Sequence, residues 1–139
     1  MGRATKSHGS LAAKGFFHIV CELFPYPLTY VLTDNGSEFM KLFDQGLRRL
    51  HKVHWHTYPK TPRMNAHAER FNRTIQEEFL LYHEELLVDP KQFNRPLIPW
   101  LLWFNADRPH WSLNLKSPVQ FLTEKHPKEC KMWWPNTVP

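Results

Sequence analysis

Two short stretches, Leu28 to Thr33 and Val53 to Tyr58, carry the β-branched and aromatic enrichment of strands, and the rest of the chain reads as helix and loop. That scarcity constrains the fold more than any other feature. A two-stranded sheet is marginal in water unless helices cover it, and its unpaired edges invite self-association. The expectation is therefore a mostly helical α/β unit with about two strands. At 139 residues the chain is long enough to bury one core and not two. Its ten Phe and six Trp supply much of that core.

In chain order, Ser10 precedes Leu11, Ala12, Phe16, Ile19, Val20 and Leu23, so residues 10–24 read as an amphipathic helix with Ser10 as its N-cap. Pro25 and Pro27 end it. The first strand opens into Asp34-Asn35-Gly36, where Gly is expected to take positive φ in a turn. A second helix places Phe39, Phe43, Leu47 and Leu50 on one face, with Arg48, Arg49 and Lys52 on the other. Along the second strand Val53, Trp55 and Thr57 alternate with His54, His56 and Tyr58.

After the Pro59 to Arg63 loop, a long helix from Met64 to Tyr82 carries the stripe Ala68, Phe71, Ile75, Phe79 and Tyr82. A residue turns about 100° around a helix, so Glu69, Asn72, Arg73 and Gln76 fall off that stripe and close to one another. Asp89-Pro90 opens another helical stretch, which Pro96 and Pro99 are expected to split or delay. Asn105 to His110 reads as a polar loop, and Ser117-Pro118 as the cap of a last helix ending near Leu122. The resulting division is a flexible leader at 1–10, a core at 11–123 and a tail at 124–139.

The charge balance, with Lys and Arg outnumbering Asp and Glu for a net charge of +5, favours a polyanionic partner. Arg48, Arg49, Lys52, Lys60, Arg63, Arg70 and Arg73 face only Glu69 within their interval, which suits contacts to a DNA backbone as well as a plain solvated helix face. Cys21 and Cys130 are far apart and lack CxxC spacing, so they read as two buried reduced thiols. His51, His54 and His56 lack the converging ligands a zinc site needs and read as surface or DNA-adjacent residues. Neither a signal peptide nor a membrane-spanning run is recognised, so no membrane partner is expected.

Taken singly, Asp34 is an ordinary turn residue and Glu69 a solvated charge. Together they are two carboxylates, one at a strand end and one on a helix beside Asn65, Asn72, Arg73 and Gln76. Such oxygen donors suit Mg²⁺, which keeps coordination positions for water and phosphate.

The stretches TDNGSEF, YPKTPRMNAHAERFNRTIQEEF and WFNADRPHWSLNLKSPVQFL resemble the second half of the integrase catalytic core of insertion-sequence transposases and retroviral integrases, from about Ala12 to Leu122. The resemblance implies an RNase H-like fold and metal-dependent DNA strand cleavage and transfer by a D,D,E carboxylate triad. It matches Asp34 to the second Asp and Glu69 to the Glu. Their interval of 69 − 34 = 35 positions is one short of the commonest spacing. Mg²⁺ or Mn²⁺ would then be held by Asp34 and Glu69, with Asn35, Lys60, Arg63, Asn65, Arg70, Asn72, Arg73 and Gln76 facing DNA. Arg108-Pro109-His110 corresponds to a structural signature near the C-terminal helix, with Phe104 in place of the usual Tyr.

One departure stands out: no Asp precedes Asp34. The family's first Asp sits in a three-stranded hairpin unit ahead of the first helix read here. The expectation is thus a truncated core that binds metal weakly and is inactive by itself. Its implied partners are DNA, a full-length transposase or the missing N-terminal fragment, and its own copies. The implied setting is the bacterial cytoplasm, nucleoid-associated. The alternative is a non-enzymatic DNA-binding or oligomerisation module that regulates a full-length transposase. An RNase H-like nuclease of another family fits the long AERFNRT and RPH segments less well.

Overall fold

A computed structural model describes residues 1–58 and 66–130. Its sheet consists of β1 (Tyr30–Thr33) and β2 (Val53–His56), paired parallel with Tyr30 beside Val53 and Thr33 beside His56. A parallel pair needs a crossover, and α2 (Leu42–Arg49), preceded by a short 3₁₀ turn at Ser37–Phe39, provides it. The strands are shorter than their apolar stretches at both sites.

The first core forms where α1 (Ser10–Leu23) and α2 cover one face of this pair. Phe17, Phe43 and a fully buried Leu47 make its centre, with Ala13, Cys21, Leu28, Val31, Phe39 and Leu50 around them. The α2 stripe is thus the one its periodicity predicts. The α1 stripe is rotated: Leu11 and Leu23 lie exposed, and the buried line runs through Ala13, Phe17 and Cys21. Close packing on α2 explains the choice, because Lys14 passes so near Gly46 that a Cβ there would meet its side chain at 3.1 Å. Nor is Ser10 the cap. Gly9 occupies that position, while the Ser10 hydroxyl accepts from the Phe43 amide at 2.8 Å and donates to the Met40 carbonyl. Both thiols are free and half-buried rather than buried.

The second core joins α3 (Ala66–Glu78) to α4 (Pro90–Ala106). Phe79, Phe93, Leu97 and Leu101 are its buried members, with Phe71, Ile75 and Trp100 packed against them. The α3 helix is shorter than its apolar stripe. It stops before Phe79, whose φ of −131° leaves the helical range, and a 3₁₀ turn at Leu80–Tyr82 follows. Burial explains the break: Phe79 turns inward to 1% exposure, His83 stacks on it at 4.2 Å, and the His83 Nδ1–H donates to its carbonyl at 2.9 Å. Tyr82 lies exposed in consequence, and Ala68, in the first turn of α3, is exposed as well.

Pro96 and Pro99 do not split α4, which runs unbroken from an N-cap at Asp89 whose side chain accepts from the Lys91 amide at 2.9 Å. Each proline frees the carbonyl four residues earlier, at Gln92 and Arg95, and both residues are exposed, so water can satisfy them. Burial of Phe93, Leu97 and Leu101 on the opposite side, at roughly 2 kcal/mol each, offsets the helix penalty. The last helix, α5 (Pro118–Lys125), begins with the expected Ser117 cap, completed by Gln120 as a capping box. It extends three residues beyond Leu122.

The two cores are tied together by the chain before α1 and the loop after it. Ala4 and Asn94 exchange two hydrogen bonds of 2.9 Å, Gly2 lies against Leu101, and the Tyr26 ring meets His126 edge-on at 6.4 Å.

Candidate functional site

Asp34 follows β1 directly, at the C-terminal end of the parallel pair. The Gly36 amide donates to one of its carboxylate oxygens at 3.0 Å, and the residue as a whole is exposed. Asn35 donates to the Thr57 carbonyl at 3.1 Å, which ties the loop to the chain leaving β2. Gly36 is not there for positive φ, since its φ is −60°. A Cβ there would meet a Glu38 carboxylate oxygen at 2.6 Å, a contact that the end of this flexible side chain can relieve by turning aside.

Behind Asp34 stands a polar line that sequence reasoning missed. The His54 Nδ1–H donates to Asp44 of α2 at 3.2 Å, and its Nε2 lies 2.9 Å from the hydroxyl of the buried Thr33. That hydroxyl has a single proton to give, and the Asp34 carbonyl lies within reach of it as well, at 3.0 Å. The His54 side chain is 5% exposed, and the ring packs on Phe43 at 5.5 Å. It is therefore an interior residue and not a surface one. The His56 ring lies tilted beside it at 4.1 Å and reaches the Asp34 carbonyl at 3.4 Å. Alternation along β2 shows that His54 and His56 share a face; it does not show that this face is the covered one. Tyr30, Leu32, Val53 and Trp55 lie exposed instead, with the Tyr30 and Trp55 rings 5.0 Å apart.

On α3, Glu69, Asn72, Arg73 and Gln76 are all exposed and lie on one side. Arg70 does not join them. With His67, Phe71 and Thr74 it lines a separate groove, whose mean direction is about 160° around the axis from the Glu69 side. Met64, Lys60, Arg63 and Asn65 lie outside the described residues.

The donor chemistry of Asp34 and Glu69 suits a hard cation such as Mg²⁺. Their number does not complete a site: among the described residues no group of three or more His, Cys, Asp or Glu converges to hold a metal. Further ligands would have to come from elsewhere.

Arg108 donates to Glu78 of α3 at 2.5 Å and lies 5.2 Å from the Phe104 ring centre. The His110 Nε2–H donates to the Phe104 carbonyl at 3.4 Å, with the ring edge-on to Phe104 at 4.9 Å. His110 also pairs through its backbone with Lys116, closing a loop around the 3₁₀ turn Trp111–Leu113. Phe104 is thus the surface on which this segment is anchored, and Phe71 of α3 packs on it from the other side at 5.5 Å. Asn105 and Ala106 belong to α4, so the polar loop begins two residues later than its composition suggests.

Residues 51–118 match the family model described as integrase core domain. The ORF3 integrase of Spiroplasma virus SpV1-C74 is 28% identical over 113 residues, covering 72% of this chain and 31% of its own length. The chain thus spans about a third of that relative. Its structure is similar to a chain of the simian T-cell lymphotropic virus intasome, solved in complex with PP2A regulatory subunit B56 gamma. The TM-score is 0.64 at 19% identity, over 97% of this chain and 48% of that one. The fold is accordingly that of an integrase catalytic core, RNase H-like and α/β, as the sequence resemblance implied.

Proposed function

We propose, with an integrase catalytic core as the premise, that residues 11–123 are part of the core of an enzyme that cleaves DNA strands and transfers them during integration or transposition. The observation that carries this reading is the placement of Asp34. In open α/β sheets ligands bind outside the carboxyl ends of the strands, and Asp34 is held there by the Gly36 amide with its carboxylate exposed.

Asp34 and Glu69 would be this chain's ligands to Mg²⁺ or Mn²⁺. When bound, such ions activate a water or a DNA 3′-hydroxyl and stabilise charge on the leaving oxygen. Asn72, Arg73 and Gln76, exposed around Glu69, would hold the DNA backbone, while Asn35 fixes the loop that presents Asp34. Lys60, Arg63 and Asn65 extend the same DNA-facing set in the sequence. Two carboxylates alone bind a divalent ion weakly, so these residues by themselves are inactive in strand transfer until a further metal ligand joins them, which a full-length transposase as partner could supply. The exposed Tyr30 and Trp55 face and the open sheet edges favour self-association. Among the described residues no helix is long and apolar enough to cross a membrane, and a bacterial, nucleoid-associated setting accords with a DNA substrate.

The test is Mn²⁺ titration with strand-transfer assays on the purified chain. Weak Mn²⁺ binding that Asp34→Asn and Glu69→Gln each reduce further, with no strand transfer, is the expected result. Glu69-dependent joining by the chain alone would overturn the inactivity, and Mn²⁺ binding indifferent to both substitutions would overturn the ligand assignment. A second reading, a non-enzymatic DNA-binding module, draws on the exposed basic residues of α2 and α3. It predicts salt-dependent DNA binding that neither carboxylate substitution changes and that no complementing fragment converts to joining.

A further inference from the structure

The side of α3 turned away from Glu69 faces a groove of about 690 Å³, closed on its other side by the end of α4 and the loop at 108–112. It is an open surface groove rather than an enclosed pocket, so a ligand would lie along it with one side in water. Phe104 and Trp103 line it from α4, His67 and Arg70 from α3, and His110 and Trp111 from the loop. None of its described lining residues is an Asp or Glu.

Three features narrow what it can hold. Arg108 is already committed to Glu78, whereas among the described residues no carboxylate lies within ion-pair distance of Arg70. Trp111 leaves 87% of its surface exposed, although its backbone is fixed by the 3₁₀ turn and by the His110 and Lys116 pairing. An indole held in water on an anchored loop offers a flat π-face to a ligand. The groove therefore pairs an aromatic platform with a single uncommitted guanidinium. An acidic peptide would use the cation and leave the rings idle, and a purely apolar ligand would strand the cation. An unpaired nucleotide uses both, stacking its base and resting its phosphate on Arg. Bases inside a duplex are stacked on one another and cannot enter.

We propose that this groove binds an unpaired nucleotide of a DNA strand, with the base on Trp111 and the phosphate at Arg70. The inference rests on the DNA reading of the Glu69 side and adds to it a second DNA contact on the opposite side of the same helix. One end of a substrate would thereby be held frayed, away from the carboxylates.

The experiment measures binding of a fluorescein-labelled 12-nucleotide oligothymidine and of a blunt duplex of the same length to the full chain at low salt. Trp111→Ala is expected to weaken single-strand binding about tenfold or more, Trp111→Phe to restore most of it, and Arg70→Ala to weaken it as well. Duplex binding should change less than twofold in the Trp111 variants and fall in Arg73→Ala, which alters the Glu69 side. Single-strand binding unaffected by Trp111→Ala overturns the groove assignment, and so does equal weakening for duplex and single strand. So too does displacement of the strand by poly-glutamate that depends on Trp111, which would make the groove an acidic-peptide site. If neither DNA form binds, the DNA reading itself fails, a result distinct from the others.

Discussion

His54 is the residue whose removal most directly tests how the Asp34 end of the sheet is held. His54→Ala deletes the hydrogen bond to the Asp44 carboxylate and the contact with the Thr33 hydroxyl. It also deletes the edge-on packing against Phe43. A buried hydrogen bond to a charged group contributes about 1.5–3 kcal/mol and a neutral one about 1 kcal/mol. The aromatic contact adds roughly 0.5–1.5 kcal/mol. The expected loss is therefore about 3–5 kcal/mol, a large part of the stability of a domain this size. With a urea dependence of about 2 kcal/mol per M, the unfolding midpoint should fall by roughly 2 M. His54→Gln can still reach Thr33 but not Asp44, and should fall in between. A double-mutant cycle isolates the hydrogen bond between His54 and Asp44. Asp44→Asn should cost at least about 1 kcal/mol less in the His54→Ala background than in the native chain, and the Arg48 pair of Asp44 cancels because it is present in both arms. A loss below about 1 kcal/mol for His54→Ala, or simple additivity with Asp44→Asn, would refute the view that this histidine carries the link between α2 and the Asp34 loop.

Tyr26 is buried with Cys130 beside its hydroxyl, and burial, followed by Cys130 and then Glu129, raises its pKa above the ordinary tyrosine value. The unfolded chain then loses this proton first as pH rises past about 10. The folded state binds more protons there, so stability must fall with rising pH. Denaturant midpoints from pH 8 to 11 should show that decline, Tyr26→Phe should reduce it, and an identical decline in the variant would refute the assignment. Ser117→Ala removes the hydroxyl that accepts from the Gln120 amide in the capping box. It should cost about 1 kcal/mol by thermal or urea unfolding; no measurable change would show that the cap does not hold α5.

The helices were legible in the sequence where one apolar stripe meets one partner, as with Phe43 and Leu47 on α2, or where a cap has one use, as at Ser117. They were misread where two uses compete. Ser10 is an ordinary capping residue, yet its hydroxyl bridges to α2, because a tertiary partner satisfies it as well as a local amide does. Pro96 and Pro99 are ordinary helix breakers, yet α4 continues through them, because burial of its opposite side outweighs the local penalty. In the candidate site, Asp34 and the exposed set around Glu69 followed from residue type and helical geometry. Arg70 did not: it was grouped with its sequence neighbours, whereas one further residue around α3 carries it toward the groove.

The sequence by itself determined the helical and extended stretches, the pairing of a strand-end Asp with a helix-borne Glu, and the resemblance to an integrase core domain, which the family model matches over residues 51–118. Only the tertiary structure decided which side of each element is covered. It put His54 inside and Trp55 outside on β2, and split the basic residues of α3 between two surfaces. The physical reason is that periodicity fixes how side chains lie relative to one another along an element. Burial depends on which distant element arrives to exclude water, and no local pattern encodes that.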